Sequence, residues 1–223
     1  IIFFRILRFL EVLKEYKGRV KGDYNSSSNL DILSYDDGVV KGSNHFAVVL
    51  VNQIVSQEGL RVARQSDLEK AMKIDSLNLS GTYEDTGLVL RNDKEPNSYL
   101  ARDLLKQVGN TKFPVMIPLT SLELRNDSDS QYGLSFDLKG EVVYAPILGE
   151  KIGNFDSENI DFETGLPTKL GNGDRTLYTR DSGLSGLCLC GCLLLGSNDG
   201  HLAGSNDSGR VVVVSEGEAV PKN

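Results

Sequence analysis

The chain has 223 residues, of which 39% are hydrophobic and 25% are charged. This composition is typical of a folded globular protein and excludes a disordered or fibrous chain. The formal net charge of −7 excludes a protein that coats nucleic acid through a general positive field.

The first predicted element is an apolar helix at the start of the chain. Residues 1 to 13 are the most apolar stretch, but they are too few to span a bilayer and include Arg5 and Arg8, so we expect no transmembrane helix. Arg5, Arg8 and Glu15 recur at helical spacing, which predicts one polar stripe and a face buried on the core. Residues 1 to 22 hold six Lys or Arg against two Glu, so a membrane-surface helix or a partner-binding helix stays an alternative.

A small hairpin and an ambiguous segment come next. Residues 30 to 35 alternate in polarity, and Asp37-Gly38 supplies the backbone conformation of a tight turn. Residues 45 to 55 fit two structures, because Asn44 can cap a helix whereas the valines favour a buried strand. We favour the helix.

Two further helices have clear boundary signals. Ser66-Asp67-Leu68-Glu69 matches a capping box, in which the Ser66 oxygen accepts from a backbone amide and Glu69 reaches back. This pattern predicts a short helix from about Asp67 to Lys73. Residues 98 to 108 follow Pro96-Asn97 with amphipathic spacing, and they predict a helix that ends at Gly109.

Beyond Lys112 the pattern changes to strands and turns. Residues 113 to 119 contain two prolines and predict a short or edge strand. The clearest hairpin joins residues 134 to 138 to residues 142 to 147 through Lys139-Gly140. Residues 149 to 173 predict a long loop. Further strands are expected at residues 88–91, 122–125, 176–179, 187–195 and 211–215.

These elements predict an α+β fold in which residues 1 to 223 form a single domain. We expect a helix-rich lobe at residues 1 to 112, a strand-rich acidic lobe at residues 113 to 223, and one core that both lobes share. The helices lie mainly in the first half, and an antiparallel sheet built from hairpins dominates the second. The first half carries 16 basic and 15 acidic residues, and the second carries 8 basic and 16 acidic residues.

A cluster of cysteines is the candidate metal site. Cys188, Cys190 and Cys192 would face the same side of a strand, and His201 would complete a set for zinc or another soft metal. A flat strand separates like-facing sulfurs by about 7 Å, so buried core cysteines are the competing interpretation. An odd number of clustered cysteines also favours a reducing, cytoplasmic location.

Two other groups contain residue types used in catalysis or cation binding. His45 lies near Ser43 and the Asp36-Asp37 turn, which is a set suited to acid–base chemistry, although turn and cap roles explain the same residues. A second group crowds the long loop and offers oxygen ligands for Ca²⁺ or Mg²⁺, but its spacing departs from the EF-hand and favours a solvated acidic loop. Its members are Asp156, Glu158, Asp161 and Glu163. No phosphate-binding glycine motif occurs, so we expect no nucleotide cofactor.

A basic segment surrounds the capped helix. Its members are Arg61, Arg64, Lys70 and Lys73. They would suit a helix-turn-helix-like DNA-binding module around residues 45 to 73, with Gln65 and Ser66 as base-reading side chains. Asp67 and Glu69 reduce this charge, so a solvated helix face is favoured and nucleic acid is not the expected partner.

Because no catalytic set assembles, the sequence favours a non-enzymatic binding or protein-interaction domain. Its expected partner is a protein, or a second copy of the chain, bound through the N-terminal helix. The first alternative is a metal-assisted or Cys/His hydrolase that uses Cys188, Cys190, Cys192 and His201. The second is the DNA-binding module. Whether the protein is an enzyme stays open at this point.

Overall fold

The four α-helices of the described residues lie in the first half of the chain, and most of the strands lie in the second. A computed structural model describes residues 2–36, 39–77, 79–191, 194–204 and 208–215, with side chains from residue 10 onward except at 35, 36, 39 and 40. The helices are α1 (Ile2–Gly22), α2 (His45–Val55), α3 (Gln65–Lys73) and α4 (Ser98–Val108). This arrangement confirms the predicted α+β class.

The strands are numbered in chain order and are mostly short. They are β1 (Ser34–Asp36), β2 (Val39–Lys41), β3 (Leu60–Val62), β4 (Glu84–Leu90), β5 (Val115–Pro118), β6 (Leu122–Asn126), β7 (Leu134–Leu138), β8 (Val143–Tyr144), β9 (Gly153–Phe155), β10 (Ile160–Asp161), β11 (Leu166–Pro167), β12 (Arg175–Tyr178), β13 (Leu184–Cys190), β14 (Leu194–Gly196) and β15 (Val213–Ser215). Pairs β1–β2, β3–β15, β6–β7 and β10–β11 are separate antiparallel ribbons. The predicted turn at Asp37-Gly38 lies outside the described residues, but the strands on either side of it pair.

A seven-stranded sheet forms the centre of the fold. Its order is β8-β5-β4-β13-β14-β12-β9, and within it β12 and β14 pair in parallel whereas the other neighbours are antiparallel. The two central strands, β4 and β13, come from different halves of the chain. Six of the seven strands come from the second half of the chain, as the sequence pattern predicted, and β4 comes from the first.

Helix α2 is buried on nearly every side. Ten of its eleven residues are buried, and the Asn44 side chain caps it by accepting from the backbone N–H of Ala47 at 2.8 Å. The helix contacts α1, β3, β4 and β6. A helix surrounded in this way is apolar all round, which explains why its sequence has no amphipathic period and also fits a buried strand.

The main apolar core is shared by both halves. Tyr16 of α1, Phe46 of α2 and Phe136 of β7 are almost fully buried in one cluster, which extends to Leu202 and Val211 near the end of the chain. The Phe46 and Phe136 rings stack with centroids 4.8 Å apart. This cluster covers one face of the central sheet, and burial of large aromatic side chains supplies much of its stabilisation.

Helix α1 docks on this core from its middle onward. Val12, Leu13, Tyr16 and Val20 are buried and lie at helical spacing, as predicted. Within the ranges that the structure describes, no helix has both the length and the hydropathy needed to cross a membrane.

The predicted hairpin between residues 134–138 and 142–147 is wrong. Strand β7 pairs with β6, and β8 pairs with the neighbouring strand β5 instead. The backbone N–H groups of Lys139 and Gly140 both donate to the Ser121 carbonyl, at 2.8 and 3.1 Å. These two bonds hold the end of β7 against the chain before β6, so Lys139-Gly140 does not form the turn.

The predicted capping box is also displaced. Helix α3 starts at Gln65, and the Asp67 carboxylate accepts from the backbone N–H of Arg64 at 2.8 Å. Asp67 therefore does what was expected of Glu69. The Glu69 side chain turns inward instead, where Arg175 of β12 binds it.

Candidate functional site

Four basic side chains converge on one cleft between α1, α2, the start of α3 and the β6–β7 ribbon. They are Arg19, Arg61, Arg64 and Lys139, and the cleft has a volume of about 360 Å³. Glu123 is the acidic residue of its lining. Polar uncharged side chains complete most of the wall: Asn52, Gln53, Ser56, Gln57 and Thr120. We call this site the basic cleft.

Two amide side chains of α2 hold the walls of the basic cleft in place. Asn52 accepts from the backbone N–H of Val62 in β3 at 3.0 Å, and Gln53 accepts from that of Leu124 in β6 at 3.2 Å. Both acceptors project from a buried helix, so the strands that carry the cleft residues are fixed relative to it. A preformed wall lowers the conformational entropy that the protein loses when a ligand binds.

The four cations are neutralised to different degrees. Arg61 is held by Asp67 through two hydrogen bonds, and Arg19 lies 3.3 Å from Asp23. Arg64 donates from Nε to the Thr120 hydroxyl at 2.9 Å, and no carboxylate of the described residues lies within ion-pair distance of it. Its two terminal guanidinium nitrogens therefore keep their donors for a ligand.

Lys139 is the second cation that is only weakly paired within the protein. Its Nζ lies 3.9 Å from Glu123 and 3.7 Å from Asp137, and all three side chains are at least one-third exposed. Exposed ion pairs at such distances contribute little and exchange readily with other anions. Arg64 and Lys139 are thus the two residues of the cleft best placed to bind a negatively charged group.

The lining of the basic cleft also indicates what it does not bind. Leu122 is its one apolar side chain, and no aromatic ring lines it among the described residues. Proteins that bind single-stranded nucleic acid stack bases on aromatic rings, and such a platform is missing here. Polar donors around Arg and Lys fit phosphate or a similar oxyanion.

The helix-turn-helix geometry predicted around residues 45 to 73 does not form. A 3₁₀ turn at Ser56–Glu58 and strand β3 separate α2 from α3, whereas a helix-turn-helix joins its helices by a turn of about 3–4 residues. Lys70 and Lys73 do not line the basic cleft, and Lys73 instead lies 4.5 Å from the centre of the Phe162 ring.

A second cluster contains two of the predicted cysteines. Cys188 and Cys190 lie two residues apart on β13, and their sulfurs are 3.3 Å apart. Strand β13 pairs with β14 in regular register from Cys188 to Cys190, and the shift in its pairing with β4 lies before Cys188, where Thr86 of β4 is the extra residue. The sulfurs nevertheless come much closer than the spacing along a flat strand predicts.

Gly196 on the neighbouring strand β14 makes space for both sulfurs. A Cβ atom at this position would lie 2.9 Å from the Cys188 sulfur and 3.7 Å from the Cys190 sulfur. The shorter distance is below any normal carbon contact, so a side chain there would displace Cys188. Glycine is consequently the residue that this packing requires.

Buried polar groups surround the Cys188 side of the pair. The Tyr83 hydroxyl lies beside Cys188 and Asp85. The Asp85 carboxylate also accepts from the Ser43 hydroxyl at 2.5 Å and lies 3.3 Å from Nε2 of His45. Asp85 thus lies between Ser43 and His45, whereas a catalytic triad places the histidine between the serine and the carboxylate. Ser43 is therefore not arranged as a nucleophile.

The hydrogen bond between the two thiols separates their acidities. It raises the pKa of Cys188, which burial raises further, and it lowers the pKa of Cys190. Burial also raises the pKa of the neighbouring Tyr83 hydroxyl. Cys190 is therefore the thiol that ionises first, with Cys188 donating to its sulfur.

The remaining members of the predicted metal set are not brought to this pair in the described residues. Cys192 lies outside them, and His201 lines a separate cleft of about 460 Å³ with Tyr132 and Arg180. Among the residues that can be described, no group of three His, Cys, Asp or Glu side chains is placed to hold a metal ion. Because Cys192 lies outside the described residues, the zinc site stays a prediction.

The other candidate sets have local structural roles. Asp36 and Asp37 cannot be placed beside His45, because the side chain of Asp36 and all of Asp37 lie outside the described residues. Residues 149–173 are not the predicted long loop, because they contain β9, β10 and β11. Within them Asp156 accepts from the backbone N–H of Glu158, and Asp161 accepts from that of Glu163, each at 2.9 Å. These are turn-stabilising bonds of the kind that Asp makes with a backbone two residues on.

Comparison with known proteins does not assign the chain to a family. No family model, curated protein or solved structure matches it. Function must therefore be argued from the side chains of the two sites.

Sequence reasoning missed four residues of these sites: Arg19, Tyr83, Asp85 and Lys139. Asp85 had a signal, because Glu84-Asp85-Thr86 places three polar residues at the start of a strand that is otherwise apolar. Arg19 and Lys139 had no such signal in the sequence, since only the tertiary fold brings them beside Arg64.

Proposed function

We propose that this protein is a non-enzymatic binding domain for a small, multiply charged anion of the phosphate class, held in the basic cleft. The observation that carries the proposal is the convergence of four cations on one polar cleft in a chain with a net charge of −7. An acidic protein repels anions in general, so a local group of cations that includes Arg64 and Lys139 gives selectivity for that place.

The size and chemistry of the cleft support a small ligand. Its volume of about 360 Å³ lies at the lower end of the range of small-molecule sites, which is about 300–1,000 Å³. Charge-assisted hydrogen bonds from Arg and Lys each contribute about 1.5–3 kcal/mol. Two such bonds, from Arg64 and Lys139, total about 3–6 kcal/mol, which on its own corresponds to a dissociation constant between about 40 μM and 6 mM.

Isothermal titration calorimetry with inorganic pyrophosphate tests the proposal. We expect saturable binding to the wild-type protein, and a dissociation constant roughly tenfold higher in Arg64→Gln and in Lys139→Gln, because each variant removes one charge-assisted contact. Arg102→Gln is the matched control, since Arg102 is an exposed arginine of α4 that does not line the cleft. It should bind as the wild type does.

Two results would contradict the proposal. The first is the absence of measurable heat with pyrophosphate at millimolar concentration. The second is equal affinity in the wild type and in the double variant Arg64→Gln/Lys139→Gln. A parallel titration of labelled duplex DNA, followed by fluorescence anisotropy, separates the DNA-binding alternative: tighter binding of DNA than of pyrophosphate would replace our proposal with that one.

The other partners predicted from the sequence remain proposals. Association with a protein, or with a second copy of the chain, rests on the apolar sequence of residues 1–9, because Val12 to Val20 already pack on the core. The cytoplasmic location and the zinc-dependent or Cys/His hydrolase rest on the cysteine pattern. Native mass spectrometry of the full chain reports both subunit number and any bound zinc.

A further inference from the structure

We propose that Cys188 and Cys190 form a redox-active dithiol that exchanges with small-molecule disulfides, with Cys190 as the attacking thiol and Cys188 as the resolving thiol. The proposal is independent of the basic cleft, which shares no residue with the cysteine pair. It rests on the contact between the sulfurs, on their unequal exposure and on the polar groups beside Cys188.

The contact between the sulfurs makes a bond between them geometrically accessible. They are 3.3 Å apart, and a disulfide bond measures about 2.05 Å, so closure needs a movement of little more than about 1 Å. Gly196 leaves the space opposite both sulfurs in which that movement occurs. Alternate residues of a strand have Cα atoms near the upper limit for a disulfide, about 6.8 Å, so closure also needs a small adjustment of the strand between the two cysteines.

The two thiols differ in their access to solvent. Cys188 is buried, with 5% of its surface exposed, whereas Cys190 is partly exposed. An external disulfide therefore meets Cys190 first. Cys188 lies behind it, in contact with the same sulfur that the oxidant would modify, which is the position of a resolving cysteine.

The polar surroundings of Cys188 distinguish the pair from inert core cysteines. Cysteines buried among apolar side chains are unreactive because the thiolate has no stabilising partner. Here the Tyr83 hydroxyl lies beside Cys188 and acts to lower the pKa of its thiol, and Asp85 next to it accepts from Ser43. Cys188, which must lose its proton before it can form a bond to Cys190, therefore has polar groups beside it in an otherwise buried site.

The exchange has two balanced steps. First, the Cys190 thiolate attacks one sulfur of a disulfide R–S–S–R; the Cys190–sulfur bond forms, the S–S bond of the oxidant breaks, and RS⁻ leaves. Second, Cys188 gives up its proton and attacks the Cys190 sulfur; the Cys188–Cys190 bond forms and the second RS⁻ leaves. The two protons released by the cysteines convert both RS⁻ ions into R–SH. Two protein thiols are oxidised, and one small disulfide is reduced.

Oxidised glutathione tests the proposal on the full-length Cys192→Ser variant, in which Cys188 and Cys190 are the remaining cysteines. After incubation, free thiols are alkylated and the intact mass is measured. We expect the loss of two hydrogen atoms, no alkylation, and reversal by dithiothreitol. With Cys188 also changed to Ser, the reaction should stop at a mixed disulfide of one glutathione on Cys190. With Cys190 also changed to Ser, Cys188 should react at least roughly tenfold more slowly.

Controls keep a negative result informative. Far-UV circular dichroism checks that each variant is folded, and Cys188→Ala replaces Cys188→Ser if the polar hydroxyl disturbs the packing. The proposal fails if folded Cys192→Ser forms no disulfide and exposes its thiols only in urea. It also fails if the wild-type chain forms a disulfide that always includes Cys192. Both results would make Cys188 and Cys190 ordinary core residues.

Discussion

The buried ion pair between Glu69 of α3 and Arg175 of β12 offers the sharpest test of how the fold is held together. Each side chain is 4% exposed, and the two groups share two hydrogen bonds of 2.7 Å. Gln65 donates to the same Glu69 carboxylate at 2.9 Å, and the Arg175 guanidinium lies 4.8 Å from the centre of the Phe155 ring. The pair therefore connects a helix to the central sheet with most of its polar atoms satisfied.

Glu69→Gln should remove the charge that compensates Arg175 and leave a buried guanidinium. Breaking a buried pair in this way costs about 3–5 kcal/mol. For a chain of this size, 1 kcal/mol corresponds to about 2–4 °C in melting temperature, so we expect a decrease of about 6–20 °C. Arg175→Met should lower the stability by a similar amount, because it leaves the buried carboxylate of Glu69 without its ion-pair partner.

Urea denaturation followed by far-UV circular dichroism measures this effect. The double variant Glu69→Gln/Arg175→Met should be more stable than either single variant, since it removes both buried charges, and the cycle should give a coupling energy of about 2 kcal/mol or more. Asp23→Asn is the control: its exposed pair with Arg19 should be worth less than about 1 kcal/mol. A loss below about 1 kcal/mol in Glu69→Gln would refute the reasoning.

Substitutions at three further positions test close contacts and backbone conformation in the same urea assay. Gly186→Ala would place a Cβ atom 2.3 Å from the ring of His45, and Gly196→Ala would place one 2.9 Å from the Cys188 sulfur, so each should destabilise the fold by about 1–3 kcal/mol. The Gly196→Ala loss should shrink in a Cys188→Ala background; an unchanged loss would place the clash elsewhere. Asn97 has a φ of 57°, and its side chain donates to two carbonyls at 2.7 and 3.0 Å. Asn97→Ala loses both hydrogen bonds and keeps a side chain at a positive φ, so it should destabilise the fold by about 1–3 kcal/mol. Asn97→Gly should destabilise it less, because glycine loses the hydrogen bonds but adopts this φ without strain. Equal losses in these two variants would show that backbone strain is unimportant there.

Local signals in the sequence predicted the helices well. Asn44 caps α2, Gly109 ends α4, and the apolar spacing from Val12 to Val20 faces the core. These features depend on interactions within a few residues of one another, which is the range over which a pattern can be interpreted. The α+β class follows from them.

Interactions between distant segments were not predictable in the same way. Asp67 and Glu69 both suit a helix start, and only the position of Arg175 decides that Glu69 turns inward. Likewise, Lys139-Gly140 has the composition of a turn, but its backbone amides bind Ser121. Turn and cap residues fit several local structures, and the tertiary environment selects one.

In the candidate sites too, the sequence indicated some of the residues but not the contacts between distant segments. The cysteine pattern drew attention to Cys188 and Cys190, yet the contact between their sulfurs depends on the space that Gly196 of β14 leaves beside them. Arg61 and Arg64 were expected to surround a DNA-binding helix. They line a cleft instead, because β3 separates α2 from α3 and brings both arginines towards β6 and Lys139.

A backbone amide NMR titration with inorganic pyrophosphate tests the proposed binding function most directly, since it reports binding and its location together. We predict saturable chemical-shift changes centred on residues 52–64, on residues 120–123 and on Lys139, the segments that line the basic cleft. Changes centred on the separate cleft at residues 95–100 and 198–201, or no changes at millimolar pyrophosphate, would contradict the account.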